Sequence, residues 1–212
     1  MFTTKSYKRA ETYLRTMEGS RLIIPFMSSS SDIILSLKSR RFDFVWINDK
    51  DAATASLWRA ILVYPRKLLK KVEKYEPQQY DQAYFAAELA TLTRIPADVE
   101  DITDVALKRL ILLDSVWKPT VLMRYIRSAN SILKRQSCRF TSWDFETILN
   151  DGTDEDVIYI DSPNLDRADA WRLSECLYSR QNWLLITTEA EFYGWANIEQ
   201  GHRELIIRPY TN

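Results

Sequence analysis

Apolar and polar positions along this chain follow two alternating rhythms. Short runs of aromatic and β-branched residues read as strands, at 21–26, 42–47, 137–141, 156–160, 183–187 and 205–208. The run 156–160 is continuously apolar after Asp156, as in a parallel strand buried on both faces, and 205–208 reads as an edge strand. Between the strands the apolar spacing lengthens to that of helices, at 33–37, 52–63, 65–74, 80–92, 102–113, 119–134, 169–179 and 189–196. Pro65 and Pro119 open two of these helices as first-turn prolines. A βαβ alternation of this kind predicts an α/β chain with a doubly wound, mostly parallel sheet. The helices between about 65 and 135 form an insertion within one domain spanning 1–212.

Composition narrows the chemistry. No apolar run approaches 18 residues, which argues against a transmembrane helix and a membrane partner, and residues 1–5 lack the apolar stretch of a secretory signal. The two cysteines, Cys138 and Cys176, are too few for a disulfide framework. They suit a reducing cytoplasm and read as buried thiols. With His202 as the single histidine, a multi-histidine metal site is impossible, and no metal is expected. Of four glycines none lies between Gly19 and Gly152, so the first 151 residues have no glycine-rich phosphate loop. A P-loop kinase and a glycine-fingerprint dehydrogenase are thereby excluded.

Net charge is zero but unevenly distributed. Residues 105–139 carry eight bases against one acid, Asp114, for a net +7. Residues 140–191 carry twelve acids against three bases, for a net −9. Lys118, Arg124, Arg127, Lys134 and Arg135 recur at helical spacing and are candidates for phosphate contacts, which position a nucleic acid without specifying its sequence. Lys67, Lys70, Lys71 and Lys74 form a second basic set, read as solvated surface.

Ligands of open α/β sheets bind beyond the carboxyl ends of the strands. Three of the first four strand ends carry an acid there: Asp49, Asp144 and Asp161. A carboxylate at such a place accepts hydrogen bonds from a ribose diol or an exocyclic amine. Asp49 and Asp144 have a second reading, as caps of the helices that follow.

The strand-end segments themselves are distinctive: Ser6-Tyr7-Lys8, Ile24-Pro25-Phe26-Met27-Ser28-Ser29-Ser30, Asn48-Asp49-Lys50-Asp51, Trp58-Arg59, Asp144-Phe145 and Asp161-Ser162-Pro163-Asn164. In this order they resemble the motifs of the Dam-like DNA adenine-N6 methyltransferases. That resemblance implies a Rossmann-like methyltransferase fold that flips a DNA base. The resemblance assigns catalysis to Asp161, Ser162, Pro163 and Asn164, and cofactor binding to Lys8, Phe26, Ser28, Ser30, Asp49, Asp144 and Phe145. It implies S-adenosylmethionine or another nucleoside-containing donor as cofactor, and DNA as partner.

The chain departs from the family pattern at defined points. Ser28 and Ser30 stand where the family has loop glycines, so their side chains would project toward the methionine part of S-adenosylmethionine. Asn164 replaces the aromatic residue that stacks on the flipped base, and it can instead hydrogen-bond a base edge. Only residues 114–117 separate two helices where the family has a long substrate-reading loop, so sequence specificity is expected to be weak. Three readings follow: a DNA-base-modifying transferase, including the phage-type hypermodification enzymes that transfer another group; a catalytically inactive binding module on the same fold; and a nucleotide-binding protein unrelated to DNA.

Overall fold

The computed structural model describes residues 12, 14–27, 33–34, 37–38, 42–76, 81–113, 118–161, 165–178, 180, 182–188 and 203–208. The strands are β1 (Arg21–Ile24), β2 (Phe44–Asn48), β3 (Ser137–Thr141), β4 (Val157–Asp161), β5 (Trp183–Thr188) and β6 (Arg203–Arg208). The helices are α1 (Ala52–Val63), α2 (Pro65–Lys74), α3 (Asp81–Ala90), α4 (Val99–Leu113), α5 (Pro119–Leu133), α6 (Phe145–Asn150) and α7 (Arg167–Tyr178). The six strands form one sheet in the order β3-β2-β1-β4-β5-β6, and every pairing is parallel. This is a Rossmann-like doubly wound fold, with its winding reversed at β1.

Side chains alternate across the strands and divide the interior in two. Leu22, Ile24, Val45, Ile47, Val157 and Tyr159 face a thick helical layer, joined there by residues of α1, α2, α4 and α5. Ile23, Trp46, Ile158, Ile160 and Trp183 face a thinner layer made by α6 and α7. Each fully buried isoleucine of these strands stabilises the fold by about 1.5–3 kcal/mol. Helices of the 65–135 segment share one continuous core with the sheet: Leu68, Val72, Leu110 and Ile126 belong to the same buried cluster as Val45.

α1 is the axis of the thick layer. Its first residues, Ala52-Ala53-Thr54-Ala55-Ser56, are all buried, and their small size lets the neighbouring helices close around them. Asp51 begins the helix by accepting the Ala53 amide N–H at 2.9 Å and the Thr54 hydroxyl at 2.8 Å. α4 starts three residues before the apolar pattern suggests, because Asp98 accepts the Glu100 amide N–H at 2.7 Å. The structure also corrects the two cysteines, which are half-buried rather than buried. Trp46, Trp58 and Trp183 are core residues, as their patterns suggest. The 189–196 helix, Trp195 and His202 lie outside the described residues.

Gly19 precedes β1, at the amino edge of the sheet. Its φ is +134°, and a Cβ there would sit 2.5 Å from the Glu155 carbonyl oxygen. The glycine therefore serves the entry into the first strand, and both its backbone angle and its clearance exclude a side chain.

Candidate functional site

Because the sheet is wholly parallel, the residues after β1, β2, β3 and β4 share its carboxyl edge. Strand order places Asp144, Asp49, Phe26 and Asp161 across that edge in turn. The crevice of a doubly wound sheet opens where the winding reverses, here between β1 and β4. Asp161 ends β4 beside it and is 4% exposed, with the Tyr159 hydroxyl donating to its carboxylate at 3.4 Å.

The middle of the edge is tied together by Asn48, a residue to which the sequence patterns assign no role. Its side chain is fully buried. The amide nitrogen donates to the carbonyls of Pro25 and Trp143, each at 3.0 Å. The amide oxygen accepts from the Thr141 hydroxyl at 2.7 Å and from the Trp143 N–H at 2.9 Å. Thr141 in turn accepts the indole N–H of Trp46 at 2.8 Å. Backbone bonds reinforce the knot, from Met27 N–H to the Asn48 carbonyl at 2.9 Å and from Asp49 N–H to the Thr141 carbonyl at 3.3 Å. One amide thus fixes the ends of β1, β2 and β3 relative to each other, with its hydrogen-bonding groups satisfied.

Asp49 is half-buried, and its carboxylate accepts the Asp51 N–H at 2.9 Å, closing a local turn. It does not cap α1, a role that belongs to Asp51. Asp144 does cap α6, accepting the Glu146 N–H at 3.0 Å. Its same oxygen receives the Arg172 guanidinium at 2.9 Å, and its other oxygen lies 3.9 Å from the Lys50 ammonium. Arg172, on α7, also pairs with Glu146 and with Asp169. Those carboxylates, Glu146 first, hold the guanidinium pKa above its ordinary value. Phe145 is 3% exposed, with Arg172 over its ring at 4.9 Å and Phe26 tilted against it at 5.2 Å. As they stand, Asp144 and Phe145 do not fit an adenine ring. Arg172 holds both the Asp144 carboxylate and one face of the Phe145 ring.

Trp143, beside Asp144, is 41% exposed. Arg139 lies over its ring at 4.9 Å and over that of Trp46 at 4.3 Å. Neither Asn48 nor Arg172 was legible as a site residue, because each acts on partners far away in the chain. Lys8, Ser28, Ser30, Ser162, Pro163 and Asn164 lie outside the described residues.

The basic residues do not gather at this edge. Lys134 and Arg135 stand just before Ser137, which pairs with Phe44 at the amino edge, and Lys118 stands at the far end of α5. All five, with Arg124 and Arg127, are exposed. Three other bases of the positive stretch are engaged locally: Lys108 with Glu88, Arg109 with Asp51 at 3.1 Å, and Arg139 on the tryptophans. The lysines of α2 are only partly the solvated set their spacing suggests. Lys67 and Lys71 pair with Glu100 of α4, and Lys71 also pairs with Asp104. Burial alone would lower the Lys71 pKa, but its bonds to Asp104 and Glu100 outweigh that and raise it. An open groove of about 470 Å³ lies between these helices, floored by Leu107 and Tyr75.

Burial pushes the Cys138 thiol up to about 12, and burial with the nearby Glu146 charge raises Cys176. Neither is poised as a nucleophile. Among the described residues no group of three or more His, Cys, Asp or Glu side chains is placed to hold a metal ion. Among the same residues no helix is long and apolar enough to cross a membrane. No protein-family model matches the chain, and no curated protein matches it.

Proposed function

We propose that this chain is a DNA-base-modifying transferase built on the adenine-N6 methyltransferase fold, acting on a base flipped toward Asp161. One observation carries the reading: Asp49, Asp144 and Asp161 share the carboxyl edge of a parallel 3-2-1-4-5-6 sheet, with Asp161 buried where the winding reverses. A carboxylate so placed accepts an N–H from a base amine, orients it, and leaves the nitrogen lone pair facing the incoming group. Ser162, Pro163 and Asn164 would flank that base. Phe26 and Asp49, with Lys8, Ser28 and Ser30, would hold the nucleoside part of the donor, joined by Asp144 and Phe145 once Arg172 is displaced.

A second reading is favoured by Arg172 itself. With Asp144 and Phe145 held by its guanidinium, the chain fits a binding module on the same fold that has lost its chemistry.

Binding of adenosine and of S-adenosylmethionine, measured by calorimetry, separates the two. The transferase reading expects saturable adenosine binding that Asp49→Ala abolishes and Arg172→Ala tightens several-fold. It further expects a modified nucleoside in digested DNA from cells making the protein, absent with Asp161→Ala. No binding to either ligand, together with DNA unchanged by the wild-type chain, sinks it in favour of the inactive module.

A further inference from the structure

α2 and α5 sit side by side on the thick helical layer, each with its apolar stripe in the same core. Their outer faces are therefore contiguous. On α2 the exposed bases without an acidic partner are Arg66, Lys70 and Lys74, of which Lys70 and Lys74 border the groove that Lys67, Lys71, Glu100 and Asp104 also line. On α5 and its ends they are Lys118, Arg124, Arg127, Lys134 and Arg135. None of these eight makes an ion pair with another described residue. The acids nearby are Glu73 on α2, Glu76 just beyond it, and Glu100 and Asp104 across the groove from Lys70 and Lys74, so the acid-free part of the surface is the α5 stripe. The segment 118–135 itself contains no acid.

We infer that this α2–α5 face is a docking surface for the phosphate backbone of duplex DNA, at a place separate from the carboxyl edge. It rests on the reading of DNA as partner, and on nothing about the cleft. Three features favour a duplex over other polyanions. The cations on α5 extend over about 25 Å at 1.5 Å per residue, which spans roughly seven base-pair steps. Arginine and lysine are mixed, and Lys118, Arg124, Arg127 and Lys134 follow one another at about one to two turns, suiting successive phosphates rather than a single bound anion. The exposed large aromatic side chains, Tyr84, Trp143, Trp171 and Tyr178, lie on other elements and the exposed large apolar side chain on α5 is Val121, so among the described residues this face lacks the aromatic anchors of a membrane-surface helix. Contacts of this type carry affinity without sequence, which agrees with the short segment in place of a substrate-reading loop.

The test is affinity for an unrelated-sequence duplex at several salt concentrations, for three proteins. Wild type should bind with an affinity that falls steeply as salt rises. Reversing four charges together, Lys70→Glu, Lys74→Glu, Arg124→Glu and Arg127→Glu, should weaken binding at least about 100-fold and shrink the salt slope by about 3–4, at 0.9 per phosphate contact. Exchanging the same residues for the other cation (Lys70→Arg, Lys74→Arg, Arg124→Lys, Arg127→Lys) should leave affinity within a few-fold, as charge and not side-chain identity is used. If the fourfold reversal fails to fold, Arg124→Glu and Arg127→Glu singly should each weaken binding about tenfold. Duplex binding untouched by reversal, or equally weakened by the conservative set, overturns the surface while leaving the transferase reading standing. Binding to phosphatidylserine vesicles in place of duplex also overturns it. A wild-type chain with no salt-dependent duplex affinity removes both the surface and DNA as partner.

Discussion

Two constellations hold the carboxyl edge, and they work by opposite physics. On the β1–β2–β3 side, Asn48 is buried and neutral and makes four hydrogen bonds. On the α6–α7 side, Arg172 is charged, about a third exposed, and shared among Asp144, Glu146 and Asp169. A buried neutral group with every bond satisfied rigidifies, because losing it strands its partners without water. An exposed ion cluster is screened, exchangeable and cheap to rearrange. The Asn48 knot therefore defines the floor of the candidate site, and the Arg172 cluster is the part able to yield to a ligand.

Removing Asn48 should give the largest effect. Asn48→Ala strands two carbonyls, one N–H and one hydroxyl, and should cost about 3–5 kcal/mol in urea unfolding. Asn48→Asp should do worse at neutral pH, by pressing a carboxylate against the Pro25 and Trp143 carbonyls. Because burial raises such a carboxyl's pKa, stability of that variant should recover as pH falls. A loss below 1 kcal/mol for Asn48→Ala would mean that the strand ends do not depend on the knot. Gly19→Ala, at the opposite edge, should cost more than about 1 kcal/mol, from its positive φ and the Glu155 carbonyl, without altering ligand affinity at the carboxyl edge. Asp51→Ala removes the α1 cap and the Arg109 pair and should cost about 1–2 kcal/mol.

Arg172→Gln should have the smallest effect on thermal stability, and the difference from wild type should vanish near 1 M NaCl. A difference that persists in high salt would show that the cluster is structural after all. Alkaline titration offers a control away from the edge. Burial, and the hydrogen bond donated to Asp81, push the Tyr75 phenol up to about 12 from its ordinary 10.0. Its contribution to stability is complete below the unfolded value and is lost as pH climbs from the ordinary value to the folded one. Ultraviolet titration should show a late phenolate component that Tyr75→Phe diminishes.

Much of the frame was readable because it rests on local signals. α1 and α2 meet their expected bounds because Asp51 caps one and Pro65 opens the other. β4 declares itself by five buried residues in succession. What escaped was the long-range chemistry. Asn48 meets Trp143 across 95 positions, and Arg172 meets Asp144 across 28. Lys67 and Lys71 were read as solvated because Glu100 lies 33 and 29 positions away. Helix periodicity reports which side of a segment is wet, and is silent on which charges on that side will meet.

The β2–β3 crossover carries a kinetic consequence. Phe44 pairs with Ser137 only after five helices have been threaded between them. Closing so long a loop is slow unless the intervening segment has already collapsed. The thick layer should therefore condense first around α1, and the last strand added on that side should be β3. Thr141 and Trp143, which complete the bonds of Asn48, arrive with it, so an early refolding species would have its helices in place and no finished ligand edge.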